Sequence, residues 1–164
     1  IRVKAPIFMA RQFVKHQIGL VWNEESRRYI DDEPEFYIPK EWRGRPETAK
    51  QGSNGKHPML IEYGTQGKDG CLDLEHWFLE NTQNCLDLYQ TLVADKVAPE
   101  MARMVLPQNV MTNWMWTGSL VAFARVVKLR TDSHAQQEAQ ELAKLINDVV
   151  APLYPVSWKA LMEN

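Results

Sequence analysis

Residues 15–29, KHQIGLVWNEESRRY, decide how the rest of this 164-residue chain is read. An apolar run from Ile18 to Trp22 is bracketed by Lys15, His16 and Gln17 before it. After it come Asn23, Glu24, Glu25, Ser26, Arg27, Arg28 and Tyr29. Cations, carboxylates, a hydroxyl and a phenol seldom crowd so closely on an ordinary surface segment. The mixture suits a small anionic ligand with a hydrogen-bonding ring. Guanidinium forks match phosphate, a carboxylate accepts from ring N–H or sugar O–H groups, and serine does either. The stretch reads as a nucleotide site.

Composition sets the frame around it. The length suffices for one domain with a sizeable core, and residues 1–164 are read as a single domain. Apolar residues at 45% and charged residues at 24% are ordinary for a soluble globular protein. A net charge of −2 gives no bulk attraction to nucleic acid or to anionic membrane. An anion site must then come from local clustering, as in the opening stretch. No apolar run approaches the roughly 20 residues of a membrane span, and no signal peptide is visible. Cys71 and Cys85 fall in what reads as one helix, which would hold them about 21 Å apart. That is too far for a disulfide, and reduced thiols of a cytosolic protein are expected. The chain starts at Ile1 and not at methionine, so an N-terminal part is expected ahead of it.

Upstream of the key stretch, Ala5-Pro6 opens a short helix with proline in its first turn. Ile7, Ala10 and Val14 share one face, and Arg11, Gln12, Lys15 and His16 the other, as a solvated polar face or as part of the site. Downstream, the acidic step Asp31-Asp32-Glu33 could hold Arg27 or Arg28 in salt bridges, which is the purely structural reading of those arginines. Glu35 to Ile38 is expected to form a short strand ending at Pro39. Residues 43–70 lack a helical period and read as a long loop, a lid or simply mobile, with Leu60 to Tyr63 briefly extended. Within it Gly52-Ser53-Asn54-Gly55-Lys56 has the wrong spacing for a phosphate loop.

A strong helix is expected from Cys71 to about Lys96. Its stripe is Leu74, Phe78, Asn81, Cys85, Leu88 and Leu92, widened by Trp77, Leu79 and Tyr89, and it serves as core or as subunit interface. Ala98-Pro99-Glu100 starts a short helix through Met104. Residues 109–118, NVMTNWMWTG, suggest a strand. Ser119 caps a helix to about Leu129, with Arg125 and Lys128 on its outer side. Ser133 and Gln136 form a capping-box pattern ahead of a helix whose stripe is Ala135, Ala139, Leu142, Ile146 and Val149. That would place Arg130 and His134 at a helix N-terminus, where free N–H groups favour anions or electron-rich rings, although a histidine there is often mere surface.

Other chemistries fare poorly. His16, His57, His76 and His134 form no close pair and neither cysteine sits in a CxxC, so no metal site is expected. Asp132-Ser133-His134 are sequence neighbours, which is not how a hydrolytic triad is built. No GxGxxG follows a strand. A single-stranded nucleic-acid module could use the six tryptophans and clustered arginines, but the basic residues are interrupted by acidic ones.

Four segments then carry a resemblance: APIFMARQFVKHQ (5–17), NEESRRY (23–29), PEFYIP (34–39) and ARMVLPQN…LRTDSHAQ (102–136). In order and spacing the chain resembles the flavin-dependent thymidylate synthases, in a form similar to those of bacteriophages. The family's hallmark is arginine-histidine-arginine, seven residues, then serine. Here Lys15-His16-Gln17 is followed by eight residues and Ser26, with the extra one placed within Leu20–Trp22. Lysine keeps a charge without the fork, and glutamine keeps only hydrogen bonding.

The resemblance implies a helix-rich α+β fold with a small antiparallel or mixed sheet, and one catalytic domain preceded by a segment that helps bind flavin. It implies a cytoplasmic methyltransferase, of a bacterium or a phage-infected cell, that makes dTMP from dUMP. FAD would be tightly bound, reduced by NADPH, with methylenetetrahydrofolate as methylene donor. Gln12, Lys15, Glu24, Glu25, Ser26, Arg27, Arg28 and Arg130 would meet dUMP. Lys15, His16, Gln17, Glu24, Ser119, Arg125 and His134 would meet the flavin. Arg130 would be the activating arginine, stabilising anionic character on the pyrimidine. Asn113 falls where some members have a phosphate-binding arginine, which shifts that task to Arg28 or Arg125. A homotetramer with active sites shared between subunits is implied, without nucleic-acid or membrane partners. A non-catalytic flavin- or nucleotide-binding relative is the alternative.

Overall fold

In the computed structural model, residues 1–29, 32–48, 52–65 and 68–163 are described. Their elements run β1 (Arg2–Pro6), α1 (Ile7–Phe13), β2 (Leu20–Glu24), β3 (Arg43–Gly44), β4 (Asn54–Lys56), β5 (Leu60–Thr65) and β6 (Lys68–Asp73). Then come α2 (Leu74–Ala94), α3 (Pro99–Ala102), β7 (Met111–Gly118), α4 (Leu120–Arg130), α5 (Gln137–Val150) and α6 (Pro155–Glu163). Tight 3-10 turns lie at Arg103–Val105 and Ala151–Leu153. The fold is α+β and helix-rich, and every strand pairing among the described residues is antiparallel.

The expected strand at 109–118 is the centre of the molecule. β7 lies between β1 and β2 in a three-stranded sheet, with Trp114 opposite Val3 on one side and Glu24 on the other. Its alternation buries Thr112, Trp114 and Trp116 on one face, as a half-buried strand requires. Trp22 stacks on Trp114 at 4.3 Å, while Phe13 of α1 and Phe123 of α4 meet Trp116 edge-on at 5.9 and 5.6 Å. Such pairs add about 0.5–1.5 kcal/mol each beyond the area they bury. Met9 and Ala10, Val126 and Val127, Ile146 and Trp158 belong to the same buried cluster, so α1, α4, α5 and α6 share one core with this sheet. Ser119 caps α4 as expected, its hydroxyl accepting from the Ala122 N–H at 3.2 Å. Gly19, with φ +76°, turns the chain into β2 against that cap, where a Cβ would lie 3.2 Å from Ser119 Oγ.

Several expectations are corrected. Ala5-Pro6 ends β1, and Pro6 precedes α1 as its N-cap. The buried face of α1 is Met9, Ala10 and Phe13, with Val14 exposed, because the helix turns Phe13 toward Trp116. Glu35–Ile38 makes a single bridge, Phe36 to Val110, and no strand. The 43–70 loop folds, where it is described, into two antiparallel hairpins, β3–β4 and β5–β6. The long helix starts at Leu74, since the Asp73 carboxylate accepts from the N–H groups of Glu75 and His76. Cys71 thus sits in a strand and not in the helix with Cys85, and both thiols are free. The buried line of α2 is Thr82, Leu86 and Tyr89, one position on from the expected Asn81, Cys85 and Leu88, and Trp77, Leu79 and Leu88 are exposed.

The start of α5 differs most. Gln136 is its N-cap without a side-chain bond, so the Ser133–Gln136 capping box is not made. Arg130 is instead the last residue of α4. The buried line of α5 is Ala139, Ala143, Ile146 and Val150, and Val149 is exposed. Of the acidic step, Asp31 lies outside the described residues. Arg27 donates to the backbone carbonyl of Asp32 at 3.0 Å rather than to a carboxylate. No helix among the described residues is long and apolar enough to cross a membrane.

Candidate functional site

Pairing of β2 with β7 runs one residue past the strand, through Glu25 N–H to the Asn113 carbonyl at 2.9 Å. The chain then turns over Ser26–Tyr29, and this wraps Glu24 to Arg28 around a cleft of about 450 Å³. Ile7, Leu106, Val110 and Met111 form its apolar side, and Thr112 and Arg103 its far polar side. Glu24 is clamped: Trp22 Nε1 donates to Oε2 at 3.1 Å and Thr112 Oγ1 to Oε1 at 2.8 Å. Asn113 Nδ2 donates to Glu25 Oε2 at 2.8 Å. Arg28 Nε donates to Ser26 Oγ at 3.2 Å, and its guanidinium lies 5.0 Å from the centre of the Tyr29 ring. Among the described residues none of Arg27, Arg28 and Arg103 is paired with a carboxylate. Three guanidinium groups around one cleft, each bonded only to neutral oxygens among the described residues, suit a phosphate.

A second cleft, of about 560 Å³, is lined by Gln12, Lys15, Arg43, Ser53, Arg130 and His134, among others. Arg130 is held from three sides at the end of α4, where the helix dipole favours a cation. Its Nε donates to His16 Nε2 at 2.9 Å, its Nη2 donates to the Gln12 carbonyl at 3.0 Å, and it lies 5.5 Å from the centre of the Phe13 ring. Accepting at Nε2 requires an unprotonated His16 nitrogen, and burial followed by the Arg130 charge lowers the His16 pKa. Gln12 Nε2 donates to Gln136 Oε1 at 2.6 Å. His134 is largely exposed, and its N–H donates to Asp132 Oδ1 at 2.8 Å. That bond and the ring contact lower the Asp132 pKa.

The residues singled out in the sequence thus fall into two groups. Glu24, Glu25, Ser26, Arg27 and Arg28 share the first cleft. Gln12, Lys15, Arg130 and His134 share the second, with His16 behind them through Arg130. The two clefts have no lining residue in common. Gln17, Ser119 and Arg125 lie outside both: Gln17 is exposed in a turn, Ser119 caps α4, and Arg125 stands on the exposed face of that helix. Arg103, Arg43 and Ser53 were missed. Arg103 sits within a quoted segment, but nothing in its spacing ties it to Arg28. Arg43 and Ser53 arrive through the β3–β4 hairpin, where Arg43 Nε donates to Ser53 Oγ at 2.9 Å. The discounted Gly52–Lys56 stretch was the available signal.

Fold and clefts together define a helix-rich α+β protein with two open, guanidinium-bearing clefts. A family model described as thymidylate synthase complementing protein matches residues 1–156, and the chain belongs to that family. A flavin-dependent thymidylate synthase of Thermosipho africanus is 37% identical over 161 residues, covering 98% of this chain and 66% of that protein. One from Thermus thermophilus is 36% identical over 164 residues, covering 99% of this chain and 55% of that protein. The chain therefore spans somewhat less than two thirds of these relatives' own lengths. Among solved structures, the UMP/dUMP methylase PolB from Streptomyces cacaoi bound with 5-Br UMP matches with a TM-score of 0.76 at 26% identity. That match covers 99% of this chain and 71% of the PolB chain.

Proposed function

We propose that the protein is a flavin-dependent thymidylate synthase that converts dUMP to dTMP, with FAD as cofactor, methylenetetrahydrofolate as one-carbon donor and NADPH as reductant. The observation that carries this reading is the 2.9 Å bond from Arg130 to His16, which joins the LRTDSHAQ and KHQ segments across 114 residues of chain. Similarity to flavin-dependent thymidylate synthases and to the UMP/dUMP methylase PolB supports it. Both clefts pass a test of fit. The first offers Arg27, Arg28 and Arg103 for a phosphate, with Glu24 and Ser26 as partners for a sugar or a pyrimidine edge. The second offers Lys15, Arg43 and His134, cationic or cation-capable groups that suit the pyrophosphate and ring edge of a dinucleotide.

Bound flavin would supply the hydride chemistry, which no side chain can supply. The residues do the rest. Arg27, Arg28 and Arg103 neutralise the nucleotide phosphate. Glu24, fixed by Trp22 and Thr112, accepts from the nucleotide. Arg130, presented against the pyrimidine carbonyl and N3 edge, stabilises the negative charge that makes C5 reactive. Lys15 and His134, with His16 behind them, would hold the flavin. Arg130 and the Glu24–Arg28 segment line separate clefts, which fits active sites shared between the copies of a cytoplasmic homotetramer. Exposed apolar side chains such as Trp77, Leu145, Leu153 and Val156 supply surface for that assembly.

The test is direct. Purified full-length protein should be yellow, release flavin on denaturation, oxidise NADPH faster when dUMP is added, and form dTMP with methylenetetrahydrofolate. A colourless protein that stays inert when reconstituted with FAD would sink the proposal. Flavin binding without dTMP formation would mark a non-catalytic relative instead.

A further inference from the structure

Gln12 lines the same cleft as Arg130, and two residues at the start of α5 fix which way its side-chain amide points. An amide has a donor end and an acceptor end, so a half-turn exchanges what it offers a ligand.

The fixing begins at Glu138, in the first turn of α5, with only 10% of its side chain exposed. Its Oε1 accepts from Arg43 Nη2 at 2.6 Å and from the Tyr37 hydroxyl at 3.3 Å. Burial works against its charged form, but Arg43, its own N–H and the Gln136 side chain together hold its pKa below the usual value. Glu138 is therefore ionised, and an ionised carboxylate can only accept. Gln136 turns its amide N–H toward it, which leaves Gln136 Oε1 for another neighbour. That oxygen accepts from Gln12 Nε2 at 2.6 Å. With its nitrogen spent on Gln136, Gln12 has its own Oε1 left over. No donor among the described residues reaches that oxygen, and it is not one of the atoms sealed from solvent.

Arg130 stands beside it. Its Nε is engaged by His16 and its Nη2 by the Gln12 backbone carbonyl, which leaves Nη1 as the free end of the fork. The cleft thus shows a ligand one donor and one acceptor side by side. A pyrimidine whose ring carbonyl adjoins a protonated N3 matches that pair. In the same register, a pyrimidine with an unprotonated N3 sets acceptor against acceptor, and leaving a buried polar group unpaired in this way discriminates strongly.

We propose that Gln136 and Glu138 are positioning residues that make the Arg130 cleft selective for uracil over cytosine. Glu138 orients Gln136, Gln136 orients Gln12, and Gln12 Oε1 accepts from the pyrimidine N3–H while Arg130 donates to the adjacent carbonyl. This rests on the proposed conversion of dUMP, which places the pyrimidine against Arg130.

Calorimetric titration of the flavin-loaded full-length protein with dUMP and with dCMP tests it. The two nucleotides share sugar and phosphate, so the ratio of their affinities reports the base alone. dUMP should bind about tenfold tighter than dCMP or better. Gln136→Glu keeps an acceptor for Gln12 Nε2 and should keep that preference. Gln136→Lys offers only donors, turns the Gln12 amide over, and should cut the preference to about threefold or less. Should Gln136→Lys not fold, Gln136→Leu frees the Gln12 amide to turn and should lower the preference in the same direction. A ratio near one in the unaltered protein, a preference lost in Gln136→Glu, or one left unchanged by the lysine or leucine variant overturns the inference while dUMP binding itself stands. Failure of both nucleotides to bind removes the dUMP reading and this inference with it.

Discussion

The two clefts hold their arginines in opposite ways. In the first, Arg28 and Arg103 are exposed and lack carboxylate partners among the described residues; the carboxylates are the groups held rigid. In the second, Arg130 is half-buried and tied to an imidazole, a backbone carbonyl and an aromatic face. A free fork suits the capture of a phosphate, where the ligand itself orders the side chain. A fixed fork suits charge that develops during a reaction, because its orientation is settled before the ligand arrives. Binding and rate enhancement thus fall to arginines that are held differently.

Arg130→Ala tests the rate side and should have the largest effect. Turnover to dTMP should fall about 100- to 1000-fold, the usual range for removing one preorganised donor, while flavin and dUMP still bind. Near-normal single-turnover rates would strike Arg130 from the reaction. Arg28→Ala tests the binding side. dUMP affinity, measured by calorimetry, should drop by about 2 kcal/mol, as for a lost charge-assisted contact. Unchanged affinity would empty the first cleft of its assigned role. Thr112→Val sharpens the difference further: it removes the hydroxyl that fixes Glu24 and leaves every cation in place. A loss of about 1 kcal/mol in dUMP binding is expected, and no change at all would make the clamp incidental.

The sequence made some of this legible and hid the rest for identifiable reasons. β7 was readable because tryptophan and threonine alternate with residues that face away, and α4 because Ser119 caps it. The crowding of Glu24 to Arg28 was readable because those residues are neighbours in the chain. The bond between Arg130 and His16 was not expected, since no local pattern spans 114 residues and the resemblance assigned the two residues to different ligands. Where a local pattern was trusted alone, it misled: Ser133 and Gln136 have capping-box spacing, yet Asp132 takes the His134 N–H and the helix begins at Gln137. The β3–β4 hairpin was hidden because its strands have two and three residues, too few to show alternation. Arg43 and Ser53 were lost with it.

The smallest effect concerns the imidazole that holds Arg130. Its pKa is lowered in the folded protein from the usual 6.5, first by burial and then by Arg130. A base whose folded pKa is depressed binds fewer protons folded than unfolded, so stability rises with pH across the interval between the two values. The contribution is fully present above 6.5 and is lost as pH falls from there toward the folded pKa of His16. Denaturant melts should therefore show stability declining on acidification through that interval, and His16→Asn should remove this part of the slope. Protonation also takes away the lone pair that receives Arg130 Nε, so turnover should fall over the same interval while binding at the Arg28 cleft does not. If both clefts lose function together as pH falls, the separation between a free and a fixed guanidinium is wrong, because nothing in the first cleft depends on His16.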